Sequence, residues 1–258
     1  REHGRNQLPW QHTQDPYRVW LSEIMLQQTQ VTTVIDYYHR FLARFPSVNE
    51  LATAHLDEVL SLWAGLGYYA RARNLHACAQ AVARHWHGKF PPNAAGLQTL
   101  PGIGASTAAA IASFCYGERA AILDGNVKRV LTRHFAVTDD VTRSATTAKL
   151  QALAQQLLPN TSLIRRQPDA MARYTQGLMD LGATVCLRRR PECTRCPVAQ
   201  SCLAFAAGNP QDYPVKSPKT RDKALRDIDL LWLTCRGHVL LEKRPSSGIW
   251  GGLWCLPT

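Results

Sequence analysis

The 258-residue sequence contains no apolar run close to the ~20 residues that a membrane-spanning helix requires. Its opening segment, Arg1 to Trp10, also lacks the apolar core of a secretory signal peptide. Acidic residues are comparatively scarce, because 19 Asp and Glu stand against 30 Lys and Arg and give a formal net charge of +11. These features predict an intracellular protein without a membrane partner, cytoplasmic or associated with the nucleoid in a bacterium, whose surface attracts polyanions.

A second absence is strand-like alternation, of which the sequence has almost none before Gly208. Apolar residues recur there at helical intervals, which predicts a mainly α fold. The helical segments are residues 17–45, 49–65, 71–87, 105–117, 127–134, 144–157 and 169–181. Residues 208–224, rich in Pro, Lys and Asp, predict a linker, and two strands are predicted at 228–234 and 238–241. Since only ~30 residues follow the linker, we expect a second domain that is incomplete at Thr258.

The cysteines do not form the pattern of a disulfide-rich secreted protein, because four of the eight lie in one short window. Their C-x6-C-x2-C-x5-C spacing lets them share one metal centre, which the spacing alone leaves open between zinc and an iron–sulfur cluster. Interspersed arginines make this loop cationic and predict a nucleic-acid partner. The cysteines are Cys186, Cys193, Cys196 and Cys202, and the arginines are Arg188, Arg189, Arg190 and Arg195.

A glycine-containing turn, LPGIGAST at residues 100–107, lies between a short predicted helix and a helix of small residues. Gly102 and Gly104 allow a tight turn and a close approach to a ligand. The free amides that open the next helix then suit a phosphate oxygen. This pattern predicts a helix-hairpin-helix that grips a DNA backbone, although an ordinary corner between two helices has the same local sequence.

Two carboxylates differ in their predicted surroundings. Glu23 has Trp20 and Leu26 as helical neighbours, and poor hydration there would keep its carboxyl protonated, unless it faces solvent from one side of an amphipathic helix. Asp124 precedes a predicted helix, where capped amides favour the charged form, although such an Asp is commonly only a cap. One neutral and one ionised carboxyl are the pair that cleaves a glycosidic bond.

Five segments occur in an order that resembles the adenine DNA glycosylases of the helix-hairpin-helix superfamily, which includes endonuclease III. They are WLSEIMLQQTQV, GLGYYARARNLH, LPGIGAST, ILDGNVKRV and the four-cysteine loop, and the resemblance extends over residues 8–256. It implies a mainly α helix-hairpin-helix glycosylase fold whose cysteine loop binds a [4Fe-4S] cluster. The implied domains are residues 17–124 with six helices and the hairpin, 1–16 plus 125–207 around the cluster, the linker 208–224, and 225–258 as the beginning of a Nudix-like 8-oxoguanine-recognition domain.

The resemblance also implies the chemistry. A monomer would bind double-stranded DNA that carries adenine opposite 8-oxoguanine or guanine, and the adenine would be flipped out of the stack. Glu23 would protonate the base and Asp124 would stabilise the sugar cation, so that free adenine and an abasic site result. The residues implied to contact substrate or DNA are Trp10, Gln11, Gln27, Gln28, Tyr68, Gly102, Gly104, Ser106, Thr107, Asn126 and Lys128.

Two other functions remain open at this point. An endonuclease III-like bifunctional glycosylase/lyase would use a nucleophilic lysine where this chain has Ser106, and that enzyme lacks a counterpart of Glu23. A non-catalytic iron–sulfur DNA-binding module would use the cysteine loop and the hairpin for affinity alone. Ser106 and Glu23 together favour a monofunctional glycosylase.

Overall fold

The computed structural model describes residues 7–217, 225, 227–245, 248 and 250–258. The predictions for residues 1–6 and for 218–224 of the linker lie outside these described residues. The mainly α fold predicted from periodicity is confirmed. In the described part of the chain, no helix has both the length and the apolarity to span a bilayer.

The first six helices lead from the N-terminal segment to the hairpin. Helix α1 begins at Pro16, a favourable first helical residue, and Asp15 caps it by accepting a hydrogen bond from the Tyr17 amide at 3.0 Å. Asn93 caps the short helix before the hairpin by accepting from the Gly96 amide at 2.7 Å. The bounds are α1 Pro16–Leu26, α2 Val31–Arg44, α3 Val48–Thr53, α4 Leu56–Trp63, α5 Ala70–His85 and α6 Ala94–Leu97.

The remaining helices follow the hairpin. Gly117, in a left-handed conformation with φ 65°, ends α7, and Asp124 caps α8. A π-helical turn, Leu181–Val185, continues α11 and ends just before Cys186. The bounds are α7 Ala105–Tyr116, α8 Gly125–His134, α9 Ser144–Gln156, α10 Thr161–Arg166, α11 Ala170–Asp180 and α12 Leu203–Ala206.

Three sequence expectations are wrong in detail. The segment 17–45 is not continuous, because the chain breaks between α1 and α2 with Gln28 in a left-handed conformation. The segment 49–65 is likewise divided, since Ala54 and His55 separate α3 from α4. The strand expected at 228–234 is reduced to its last residue, because only Thr234 and Cys235 pair with His238 and Val239 as strands β1 and β2.

Two hydrophobic cores share helix α7. The first gathers aromatic residues such as Trp20, Phe41 and Trp63 from the N-terminal helices, and the second is built around α8, α9 and α11. Residues of α7, most of them alanines, face both cores: Ala108, Ile111 and Ala112 pack in the first, while Ala109 and Ala110 pack in the second. Helix α7 therefore connects the two cores, and the hairpin turn at its start packs against the first core through Leu100 and Ile103.

The C-terminal residues add two short antiparallel pairs, β1–β2 and the pair of β3 (Glu242–Lys243) with β4 (Trp254–Cys255). Lys243 forms an ion pair with Asp57 of α4 at 2.8 Å, and Leu253 packs against the first core. Apolar residues of the preceding stretch are exposed, including Leu231, Trp232 and Leu240. The described strands do not show a complete Nudix-like domain, and the proposed division into domains stays a prediction.

Candidate active site

One cleft of about 1310 Å³ contains most of the predicted site residues. Its walls come from the N-terminal segment, from α1 and the turn after it, from the starts of α7 and α8, and from α11. The predicted residues that line it are Trp10, Gln11, Glu23, Gln27, Gln28, Ser106, Thr107, Asp124 and Asn126. Among the described residues, the predicted positions outside it are Tyr68, Gly102, Gly104, Lys128 and the four cysteines of the loop.

Glu23 lies on α1, most of whose other residues are buried in the first core. Trp20 is completely buried one turn before it, and Val19, Leu26 and Phe114 line the same part of the cleft. Burial among these apolar groups, and secondarily the negative charge of Asp124, raise the pKa of Glu23 to about 7. Near neutral pH this carboxyl therefore holds a proton that it can donate.

Asp124 stands at the N-terminus of α8 and lines the same cleft. Its Oδ1 accepts a hydrogen bond from the Val127 amide at 2.7 Å, as the predicted cap requires. The expectation that local effects determine its charge is wrong in one respect, because burial outweighs them and raises its pKa. The amides of Val127 and Asn126 and the charge of Arg129 act in the opposite direction. Because the negative charge of Asp124 is one cause of the raised pKa of Glu23, the two carboxyls titrate as an interacting pair.

The hairpin contains two glycines, and their surroundings differ. Gly102 has φ 75°, and a Cβ there would come within 2.7 Å of the Asn74 Cβ, so only glycine fits this turn. Gly104 caps α7 and a Cβ there would meet nothing within 4 Å, so its backbone is open to an approaching group. Ser106, in the first turn of α7, accepts a hydrogen bond from the Leu123 amide at 3.2 Å. Ser106 therefore fixes the residue directly before Asp124, a contact that the sequence did not indicate.

The turn residues Gln28 and Tyr68 have positive φ angles of 57° and 49°. Such angles are uncommon outside glycine and mark positions where the surrounding structure imposes the conformation. Tyr68 is 61% exposed although it is aromatic, and Gln28 is also exposed beside the cleft. The two side chains are therefore presented to solvent by strained backbone.

The four cysteines of the loop line one small cavity of about 30 Å³. Apolar residues such as Val130, Leu181 and Val185 complete its walls, and burial raises the pKa of Cys193 and of Cys196. Among the described residues, no three His, Cys, Asp or Glu side chains are arranged to hold a single metal ion. The cysteines thus surround a shared space without converging on one point.

Two arginines of α8 connect this loop to the cleft, and sequence reasoning missed both. Arg133, which is 2% exposed, donates to the Sγ of Cys186 at 3.3 Å and to the carbonyl of Leu187 at 2.7 Å. Arg129 donates to the Cys186 carbonyl at 2.8 Å and to Oδ1 of Asn126 at 3.0 Å. Arg129 and Arg133 are about one helical turn apart, and this spacing was the available signal, because it places both on one face of α8.

Several further basic and polar residues lie in or near the cleft. Lys128 donates to Oγ1 of Thr147 at 3.4 Å rather than facing the cleft. Arg188 lines the cleft, whereas Arg195 forms an ion pair with Glu192. Among the lining residues that the sequence did not single out are Gln14, Arg173, Gln176, Asp180, Gln211 and Lys216.

A hairpin and two carboxyls at one cleft are the arrangement expected of the helix-hairpin-helix glycosylases, and comparisons with known proteins agree. Residues 21–156 match the HhH-GPD superfamily base excision DNA repair protein family. An adenine DNA glycosylase of Buchnera aphidicola subsp. Baizongia pistaciae is 38% identical over 256 residues, which cover 98% of this chain and 70% of that protein. The human adenine DNA glycosylase is 43% identical over 308 residues, covering 98% and 55% of the two chains.

The chain belongs to the adenine DNA glycosylases of the HhH-GPD superfamily, as its sequence motifs predicted. Among solved structures, a thermostable thymine-DNA glycosylase superposes with a TM-score of 0.68 at 28% identity, covering 79% of this chain and 90% of that one. Endonuclease III in a non-covalent DNA complex superposes with a TM-score of 0.65 at 19% identity, covering 80% and 90%. The latter likeness supports the fold.

Proposed function

We propose that the protein is a monofunctional adenine DNA glycosylase of base excision repair. It hydrolyses the N-glycosidic bond of adenine mispaired with 8-oxoguanine or guanine and leaves an abasic site. The observation that carries this proposal is the pair of carboxyls in one cleft, Glu23 with its raised pKa and the hydrogen-bonded Asp124. The relatives are adenine DNA glycosylases, which supports adenine as the base that is removed. The likeness to a glycosylase bound to DNA supports DNA as the partner.

The two carboxyls divide the work. Glu23 donates its proton to the flipped adenine, which makes the base a neutral leaving group. Asp124 stays ionised and stabilises the positive charge that develops on the sugar, while water completes the hydrolysis. Trp10 and Gln11 line the same cleft and would contact the base.

Further contacts would hold the duplex. Gly104 has an open approach at the N-terminus of α7, where phosphate is favoured by the free amides, and Thr107 lies in the same turn. Gln27, Gln28 and Tyr68 would enter the duplex around the mispair. The planar ring of Tyr68 would take the place of a stacked base. Gly102, Ser106, Asn126 and Lys128 complete the proposed DNA-contacting set, although Ser106 and Lys128 also have partners within the protein.

We propose that the cysteine loop holds a [4Fe-4S] cluster through Cys186, Cys193, Cys196 and Cys202. All four line one cavity, and cysteine thiolates in such a number are the ligands that a [4Fe-4S] cluster takes. A bound cluster would supply a rigid cross-link of the loop. In the purified protein, iron and acid-labile sulfide in equal amounts would support this assignment, whereas zinc alone would contradict it.

The C-terminal residues carry a further part of the proposal. Residues 225–258 resemble the beginning of a Nudix-like domain, which would recognise 8-oxoguanine opposite the adenine. Lys243 attaches this segment to α4 by its ion pair with Asp57, and Leu253 attaches it to the first core. We propose that the protein acts as a monomer.

The test uses end-labelled duplexes with a single 8-oxoguanine:adenine or guanine:adenine pair, and with thymine:adenine and guanine:thymine as controls. After incubation, each sample is divided and only one half receives hot alkali. Cleavage at adenine only after alkali supports a monofunctional adenine glycosylase. Cleavage without alkali would indicate the lyase chemistry of a bifunctional enzyme, and binding without any cleavage would favour the non-catalytic module.

A further inference from the structure

Arg71, in the first turn of α5, contacts two separate turns with one guanidinium. Its Nη1 donates to carbonyls at the end of α1, and its Nη2 donates to the turn that follows α1 and to the turn that precedes α5. The acceptors of Nη1 are the carbonyls of Ile24, Met25 and Gln27, and those of Nη2 are Oγ1 of Thr29 and the carbonyls of Leu66 and Gly67.

These two turns contain Gln28 and Tyr68, whose backbone is strained and whose side chains are exposed. Gln28 lies between two of the acceptors and Tyr68 directly follows a third, and both have positive φ angles. The guanidinium carbon of Arg71 also lies 5.5 Å from the ring centroid of Tyr68 and 5.3 Å from that of Trp63, the last residue of α4. One side chain therefore connects the backbone of both strained turns and one of their rings.

We propose that Arg71 is a positioning residue, which holds Gln28 and Tyr68 in one fixed arrangement before DNA binds. This inference rests on the proposed function, in which Gln28 and Tyr68 enter the duplex around the mispair. Insertion of the two side chains into the duplex costs less conformational entropy when their positions are already fixed in the free protein. The planar fork of arginine reaches acceptors in two directions, whereas the ammonium of lysine cannot hold that geometry.

The first test requires no DNA. Amide hydrogen exchange is compared in the wild-type protein, Arg71→Lys and the control Arg84→Lys, which changes an exposed residue of the same helix. We expect about tenfold faster exchange at the Thr29 and Leu66 amides in Arg71→Lys, with α9 unchanged, because local opening is independent of global unfolding. Unchanged exchange at both turns would overturn the proposal.

The second test is a double-mutant cycle with Tyr68→Ala, measured as single-turnover excision of adenine opposite 8-oxoguanine. Arg71→Lys should slow excision by about 10- to 100-fold in the wild-type background, as a misplaced group does. In the Tyr68→Ala background the same substitution should cost several-fold less than in the wild-type background, since one of the two residues that Arg71 positions is gone while Gln28 remains. Effects that multiply in the double variant would instead indicate general destabilisation and overturn the proposal.

A folding defect is covered by a second variant. Thr29→Val removes one acceptor of the Arg71 fork while keeping the shape of the side chain, and it enters the same cycle with Tyr68→Ala. If the wild-type protein does not excise adenine, the proposed function fails by itself, while hydrogen exchange still decides whether Arg71 holds the two turns.

Discussion

The two walls of the cleft carry similar carboxyls by different means. On the α1 wall, Glu23 is set by packing, with Trp20 fully buried beside it and apolar side chains lining its surroundings. On the α8 wall, Asp124 is set by hydrogen bonds, from the Val127 amide to its carboxylate and from the Leu123 amide to Ser106. Burial raises the pKa of both groups, but only Asp124 receives donors that favour its charge. In the proposed mechanism, the backbone amides of the α8 wall are therefore what favours Asp124 as the ionised partner of Glu23.

The largest effect is expected from removing the proton on the packed wall. Glu23→Gln keeps the shape of the side chain but cannot donate a carboxyl proton, so adenine excision should fall by about 100- to 10,000-fold. Binding to the mispaired duplex should stay within about threefold of wild type, measured by titration, because the shape is kept. Glu50→Gln is the control, since a glutamine there would keep the capping box of α3 on the exposed surface. Excision unchanged in Glu23→Gln would refute its role as acid.

Removing the charge on the hydrogen-bonded wall comes next. Asp124→Asn keeps an acceptor for the Val127 amide, because Asn caps helices as well as Asp does, and it removes only the negative charge. Excision should fall by about 100- to 1,000-fold, in single-turnover kinetics, through lost stabilisation of the sugar cation. Asp124→Ala removes the cap too and should lower the free energy of unfolding by about 1 kcal/mol more than Asn does. An Asn variant with full activity would reduce Asp124 to a cap.

The packed wall should also make stability depend on pH. The pKa of Glu23 is about 7 in the folded protein and 4.5 for an ordinary Glu, so the folded state binds more protons between these values. The free energy of unfolding should therefore fall as pH rises through this window, by on the order of 1–3 kcal/mol. Denaturation of wild type and Glu23→Gln at pH 5 and pH 8 measures this loss, which the variant should lack. An equal pH dependence in both proteins would show that burial of Glu23 is not the cause.

The smallest effect is expected at the support of Asp124. Ser106→Ala leaves the Leu123 amide without its acceptor and should lower the free energy of unfolding by about 1 kcal/mol, with excision reduced about threefold to tenfold. Ser61→Ala, at an exposed position of α4, is the matched control. Chemical denaturation and single-turnover kinetics measure the two quantities. A variant with unaltered kinetics would mean that the cap alone positions Asp124.

The sequence predicted the elements of the site better than their environment. Helical periodicity, the Asp124 cap and the hairpin glycines are local signals, and the structure contains the predicted helices around the cleft. The break after α1 has no glycine or proline that would have predicted it from the local sequence. Its carbonyls are instead bound by Arg71, which is 44 residues away from Gln27. The raised pKa of Asp124 was similarly unforeseen, since burial by distant elements exceeded the local effect of the cap.

Helix α7 has a consequence for the folding of the whole cleft. Because its small residues are packed on both sides, neither core can lose its order while the other retains a complete surface. The two carboxyl-bearing walls thus share one helix, and partial unfolding of either half removes part of the surface against which the other half packs. We therefore expect heat or denaturant to disorder the two walls together, so that the loss of the cleft accompanies the loss of either core.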